Sequence, residues 1–494
     1  MTRYRGAAIR KVSLASLAAF FIPFAIYVAS SPQSVGFWDT AEMQTVPYIF
    51  GIPHPSGCPA FIFSGWLVSH AVPLGSVAWR INVMCGAAMA LAAWCVYATV
   101  VELEGKPWLG AFAAIVFGVG TVVWTRGSRA EVHALLIAFA ALTLWLIVRW
   151  RRAGEDRALL GAALAYGFAL ATHGLAVLMA PGLAFLLFPR IREAPMRTLA
   201  HAAAHLALPL LLYLYIPLRS NYLYAHHVDP TLSLGLPPGR PFWDDQHVST
   251  LGALLHYVAG SETHAGDALH SILDADNYGM VAAHFGSSVT HEFSFFGVVF
   301  ALFGLVILTR AQWQLALGLV AACLPSIPFG QLFAIDPERY FLAAFWLAAV
   351  LTAVGIRRVA VWFFHPSDAL VDGIALTVSA SLAFVLFVTN VSNFENRNNK
   401  SATEFVDRVV ARTPSNAILV ANWTYGTSFG YAAYVERRLG NRIIVIGFPH
   451  DYKTFYPAWL RTRPVYLVYQ GYTDPDFRIE PIPNDPTIVR LLPK

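Results

Sequence analysis

About eleven stretches of this chain approach the roughly twenty apolar residues that a helix needs to cross a bilayer, and they constrain the fold more than any other feature. They cover residues 12–30, 78–101, 108–124, 131–149, 158–172, 174–188, 199–218, 293–309, 313–333, 340–356 and 369–389. Only 13% of the residues are charged and 57% are hydrophobic, against about 25% charged in a soluble domain. The expected fold is therefore an all-α polytopic membrane domain. The net charge of +5 calls for no nucleic-acid partner, because cytoplasmic loops of such proteins are rich in Lys and Arg. Cys85, Cys95 and Cys323 fall in apolar stretches and Cys58 in a loop. That is too few for a disulfide framework, and packing is the expected role of the first three.

The basic residues set an orientation. Arg3, Arg5, Arg10 and Lys11 precede the first stretch, which reads as an uncleaved span with its N-terminus in the cytoplasm. Parity then places Lys106, Arg149, Arg151, Arg152, Arg157, Arg190, Arg192, Arg197, Arg310, Arg357 and Arg358 in cytoplasmic turns. Fewer basic residues fall opposite: Arg80, Arg126, Arg129, Arg219 and Arg339. The bias has the sign expected for a membrane protein. It puts residues 31–76, 219–291 and 395–494 on the non-cytoplasmic side. Residues 1–392 form the membrane domain, with 31–76 as its first outer loop and 219–291 as a long outer loop. Within the first loop, 59–73 reads as an interfacial helix. Trp38, Trp66, Trp79, Trp124 and Trp150 read as an interface belt. Residues 395–494 read as a small outer α/β domain, with a helix at Ser401–Arg412, strands at 417–421, 442–447 and 465–469, and a helix at 428–439.

Ionisable groups gather at the outer face: Asp39, Glu42, His54, Glu131, His133, His173, Asp336 and Glu338. Asp39 and Glu42 lie three apart and share a face on a helical turn. One would serve as general base on a hydroxyl, the other would orient the acceptor or a metal; solvated carboxylates capping a short helix would show the same spacing. His54 follows in Gly51-Ile52-Pro53-His54-Pro55-Ser56-Gly57-Cys58-Pro59. It would orient the acceptor, join Asp39 and Glu42 on a divalent metal, or simply bond its own loop. Glu131, His133 and His173 are further candidates for orienting acceptor or loop. Arg80, Arg126, Arg129 and Arg219 sit at the outer interface, where guanidinium groups would grip a lipid phosphate bidentately; snorkelling or pairing with Glu131 is the plainer alternative.

At these residues the chain resembles the uncharacterised-domain family of polytopic membrane proteins that includes the plexin-type transmembrane protein O-mannosyltransferase, among the GT-C-type glycosyltransferases. The resemblance rests on Asp39…Glu42 and the Gly51–Pro59 run. Trp79-Arg80-Ile81-Asn82, Ala130-Glu131-Val132-His133, Thr172-His173, Tyr215-Ile216-Pro217-Leu218-Arg219 and Asp336-Pro337-Glu338-Arg339-Tyr340-Phe341-Leu342 follow in family order. Ser56 stands for a proline, Cys58 for a tyrosine and His133 where tyrosine is usual. Phe242-Trp243-Asp244-Asp245 is the nearest match to an Asn-Trp-Gly-Asp element.

The resemblance implies a GT-C-like helical domain and a sugar moved from a polyprenyl-phosphate-linked donor to an acceptor hydroxyl, with inversion, at the outer face. Asp39 is the expected general base. Mannose is one candidate sugar, and a protein Ser/Thr or a glycan the acceptor; the other partner is membrane lipid. The resemblance fixes no cofactor, and a divalent metal stays open. The expected setting is a bacterial inner membrane, with the site periplasmic or extracellular. The competing reading is a polytopic transporter or flippase for a lipid or sugar. It would bring internal repeats and ionisable groups at mid-membrane, and neither is visible.

Overall fold

The computed structural model describes residues 13–259, 274, 276–330, 336–364, 368–483 and 485–494. The basic residues Arg3, Arg5, Arg10 and Lys11 lie outside the described residues, as does 260–273 of the long loop. Where the apolar stretches are described, they are helical. Seven helices among the described residues are long and apolar enough to cross a membrane, or eight if the bent pair Pro107–Gly118 and Thr121–Gly127 is one span. This is an integral, multi-pass membrane protein. Leu14–Ser30 and Asp156–Thr172 are shorter, at 17 residues each. The stretches 293–309 and 313–333 share one long helical element, Asp276–Cys323, broken by non-helical backbone at Ser294 and Gln312.

The centre of the bundle is the Val77–Glu104 helix. The Ser76 hydroxyl caps its start by accepting from the Trp79 N–H at 3.1 Å, and Gly105, at φ 69°, ends it. It packs on Val132–Ala153. Both present small buried residues, Ala88, Ala92 and Ala93 against Ala134, Ala138 and Ala141. Small side chains let backbones approach closely where lipid supplies no hydrophobic drive. The Pro107–Gly127 pair bends by 77°. The freed N–H groups of Val122 and Val123 donate to the buried carboxylate of Glu292 at 2.8 and 3.0 Å. A side chain at Gly120 would collide with that carboxylate, so the bend requires glycine there. At the end of the bundle away from Asp39, the basic turns are paired: Glu104 with Arg357 and Arg358 at 2.7 and 3.0 Å, Arg149 with Glu102 and Glu155, and Asp372 with Lys106.

Two of the five tryptophans expected in an interface belt belong to the core instead. Trp124 is fully buried and donates to the Ser30 hydroxyl at 2.9 Å, and Trp150 is buried as well. The C-terminal sheet has the order β2-β1-β3-β5-β4. Its strands are β1 (Ile418–Ala421), β2 (Ile443–Ile446), β3 (Val465–Val468), β4 (Phe477–Ile482) and β5 (Asp485–Pro493). The three expected strands pair in parallel, with Ile418 opposite both Ile443 and Val465. β4 and β5 add an antiparallel edge that the sequence reading missed. The helix after β1 runs Trp423–Tyr434 rather than 428–439, because the Asn422 side chain caps it five residues earlier by accepting from the Tyr425 N–H. This domain rests directly on the 31–76 segment and the start of the Val77–Glu104 helix: the Tyr431 hydroxyl accepts from the Ala78 N–H at 2.9 Å, and Phe37 packs edge-on to Phe405 and Tyr425.

Candidate functional site

Asp39 lies in the first turn of a helix spanning Trp38–Ile49, where the exposed N–H groups favour a negative charge. Glu42 follows on the same face, fully buried. The chain then turns through Phe50, at φ 52°, into the Gly51–Cys58 loop. The loop is pinned from several sides. The Ile52 N–H donates to the Trp243 carbonyl at 2.9 Å, and the Tyr257 hydroxyl donates to the Pro53 carbonyl. Gly51 passes so close to the Phe242 carbonyl that any side chain there would overlap it. This pinning turns His54 back onto Glu42. Its backbone N–H donates to Glu42 Oε1 at 2.9 Å, and its ring Nδ1 bonds Oε2.

The charges around the acids follow from this geometry. Burial alone would push the His54 ring down, but the Glu42 carboxylate outweighs it, with Asp39 and Asp245 adding, so its pKa is pushed up to about 10. His54 and Glu42 are an ion pair. Burial also works against the Asp39 charge, yet His54, Arg339 and the Trp423 indole hold its carboxyl below the ordinary range. Arg339 Nη1 donates to Asp39 Oδ2 at 3.0 Å, and Trp423 Nε1 to Oδ1 at 2.9 Å. The Asp39 side chain is nevertheless 39% exposed, so an ionised carboxylate with spare lone pairs faces solvent. Burial, with the Glu42 and Asp39 carboxylates, pushes the Cys58 thiol up, which removes it as a nucleophile. Donor atoms of Asp39, Glu42 and His54 lie within 4.8 Å of one another, close enough to share a cation. They are already engaged with each other, Arg339 and Trp423, so a metal would have to displace those bonds.

The His54–Glu42 pair carries a pH dependence. The imidazole pKa is higher folded than free, so its stabilisation is complete below 6.5 and disappears as pH rises through about 10. The unfolding midpoint should exceed that of His54→Phe at neutral pH, and the gap should close above about pH 10. A gap that does not change with pH would mean the contact is uncharged.

Behind Asp39 lies a second cluster. Glu131 caps the Val132–Ala153 helix and pairs with Arg126 at 3.1 Å and with His133 Nδ1 at 2.9 Å. Asp336 pairs with both Arg126 and Arg129. The His173 ring lies 4.9 Å from His133, and its Nδ1 accepts from the Leu175 N–H at 3.1 Å. Burial, with His133 and His54 nearby, holds its pKa well below the ordinary value. Next to this cluster a mostly apolar slot is walled by Leu136, Ile137, Leu175, Met179 and Ala343, with His133, Arg339 and Tyr340 among its polar lining residues.

The structure thus brings Asp39, Glu42 and His54 together, and Glu131, His133 and His173 beside them. The four arginines expected at a phosphate have protein partners. Arg80 donates to the carbonyls of Ser69, Leu74 and Gly75, and Arg219 to those of Ile49 and Phe50. Arg126 and Arg129 belong to the Glu131–Asp336 network. The guanidinium that bonds Asp39 is Arg339, which the sequence reading counted as an outer arginine without giving it a role. Its signal was the dense charge of Asp336-Pro337-Glu338-Arg339 at the mouth of an apolar span. Trp423 carried no such signal.

Residues 39–196 match the family described as the Protein O-mannosyl-transferase TMEM260 N-terminal domain. The chain is 25% identical to the Protein O-mannosyl-transferase TMEM260 of Mus musculus, over 91% of its own length and 65% of that protein's. It is 31% identical to the Protein O-mannosyl-transferase tmem260 of Dictyostelium discoideum, over 29% of its own length and 18% of that protein's. Its fold is that of ArnT from Cupriavidus metallidurans. The apo structure superposes with a TM-score of 0.54 at 12% identity over 96% of this chain and 97% of that one. The structure bound to undecaprenyl phosphate gives 0.52 at 11% identity, with the same coverage. The resemblance read first from Asp39…Glu42 and the loop after it thus extends, as similarity to the mouse TMEM260 protein, over 91% of the chain.

Proposed function

We propose that this protein transfers a sugar from a polyprenyl-phosphate-linked donor to an acceptor hydroxyl, with inversion, at the non-cytoplasmic face of its membrane. The observation that carries this reading is the position of Arg339. One guanidinium both pairs with the half-open Asp39 carboxylate and lines an apolar slot. A lipid-linked sugar needs those three environments side by side: apolar walls for the isoprenoid, a fixed cation for the phosphate, and a base for the incoming hydroxyl.

The reaction follows from the chemistry. The acceptor oxygen attacks the anomeric carbon, the bond from that carbon to the phosphate oxygen breaks, and the lipid phosphate leaves with the electron pair. The acceptor proton passes to Asp39, the general base. Phosphate needs charge stabilisation more than protonation as it leaves, and Arg339 supplies it. Glu42 positions the loop through His54, since both its oxygens are committed there. The name of the TMEM260 relatives supports mannose as the sugar and a protein hydroxyl as acceptor. The undecaprenyl phosphate bound by ArnT supports a polyprenyl phosphate in the slot. The membrane in question differs between these two: the relatives named are eukaryotic and ArnT is bacterial.

Replacing Arg339 by Ala should weaken binding of a polyprenyl phosphate to the detergent-solubilised protein by roughly 10- to 100-fold, the value of a charged hydrogen bond. Lysine should recover only part of this if the contact is bidentate. Unchanged lipid affinity in Arg339→Ala would remove the donor from this slot.

A further inference from the structure

The buried histidine of the slot has a free ring nitrogen that the reaction above does not use. His133 is only 4% exposed, and its Nε2 has no hydrogen-bond partner among the described residues. Its other nitrogen is fixed, because Nδ1 lies 2.9 Å from Glu131 Oε1, and the other Glu131 oxygen pairs with Arg126. An ionised carboxylate only accepts, so Nδ1 carries the proton; a neutral ring then presents Nε2 as a lone-pair acceptor. The ring itself is buttressed, edge-on to Tyr340 at 5.1 Å and tilted against His173 at 4.9 Å. The large majority of buried side-chain polar atoms in folded proteins are hydrogen-bonded, and one that is not calls for an explanation. This one belongs to a residue lining the same slot as Arg339.

We propose that His133 is a specificity-determining residue whose Nε2 accepts a hydrogen bond from a hydroxyl of the donor sugar, while Arg339 holds the phosphate. The inference rests on the slot being the donor site. The choice of sugar over phosphate follows from the polarity of the two groups. An ionised phosphate diester offers only acceptor oxygens, which a second lone pair repels. A sugar hydroxyl brings the donor that Nε2 lacks. Glu131 is then a positioning residue, holding the ring in the tautomer that leaves Nε2 open. Sites built around such a bond discriminate strongly against ligands that lack the matching group, because the buried acceptor is then left unpaired.

The test uses the full-length protein in detergent and two probes, a polyprenyl phosphate and the same lipid phosphate carrying mannose. His133→Asn keeps an amide N–H near the position of Nδ1, and so its bond to Glu131, but offers nothing at Nε2. It should weaken the sugar-bearing lipid about tenfold, the value of one hydrogen bond, and leave the bare lipid phosphate nearly unchanged. His133→Gln, whose longer amide reaches toward the Nε2 position, should recover part of the loss. Equal weakening of both lipids would make His133 a phosphate or packing contact and overturn the proposal. So would equal retention of both in a folded His133→Asn. Wild-type protein that binds neither lipid would overturn the donor-slot reading itself, and this inference with it.

Discussion

Asp39→Asn should leave the protein folded and its lipid affinity close to wild type, while transfer falls by about 10²–10⁴, the usual cost of losing a general base. Asparagine has the same shape. Its oxygen still accepts from the Trp423 indole or from Arg339, which donate to the two carboxylate oxygens at 2.9 and 3.0 Å. What it lacks is a place for the acceptor's proton. The prediction separates Asp39 from the groups around it. His54 is held protonated by Glu42, and the Cys58 thiol is held un-ionised by burial, so neither can take over as base. Single-turnover measurement with saturating donor would isolate the chemical step, and a near-normal rate would remove Asp39 from that role.

Glu42→Gln should fail differently. Glu42 is fully buried, and its carboxylate holds both the backbone N–H and the ring of His54. Breaking a buried pair by removing one charge costs about 3–5 kcal/mol. Here the lower end is expected, because His54 is 34% exposed and can shed its proton. Chemical denaturation should therefore show a loss of about 3 kcal/mol, and the activity left at low temperature should exceed that of Asp39→Asn. If Glu42→Gln is instead as stable as wild type but far less active than Asp39→Asn, the two roles are exchanged.

How much of this was legible in the sequence depends on how far apart the interacting residues lie. Asp39, Glu42 and His54 fall within sixteen positions, and their joining needs only one helical turn and one Pro/Gly loop, so local pattern exposes them. The two groups that complete Asp39 lie 300 and 384 residues along the chain. No spacing rule connects Arg339 or Trp423 to the Trp38–Ile49 helix; only the folding of the C-terminal domain and of the Pro337–Phe363 span onto that helix does. The protein partners of the expected phosphate arginines escape the sequence for a related reason. A guanidinium near a membrane interface can as easily satisfy the orphan carbonyls at a helix end, and Arg219 does so for Ile49 and Phe50. Trp124 and Trp150 sit at predicted span ends yet are buried, Trp124 against Phe387 and Phe394 and Trp150 in a cluster with Ala158 and Leu159. β4 was missed because none of its residues is buried and it includes Pro481, a poor strand signature.

The central claim is that a lipid-linked sugar meets an acceptor hydroxyl at Asp39. The most direct measurement is to give the purified protein a polyprenyl-phosphate-linked mannose with a folded acceptor protein bearing accessible Ser and Thr, then read the product by mass spectrometry and its anomeric configuration by NMR. The account predicts one hexose on a hydroxyl, in the configuration opposite to that of the donor, with the product lost in Asp39→Asn. Retention of the donor configuration, or transfer from a nucleotide sugar but not from the lipid-linked one, would contradict it.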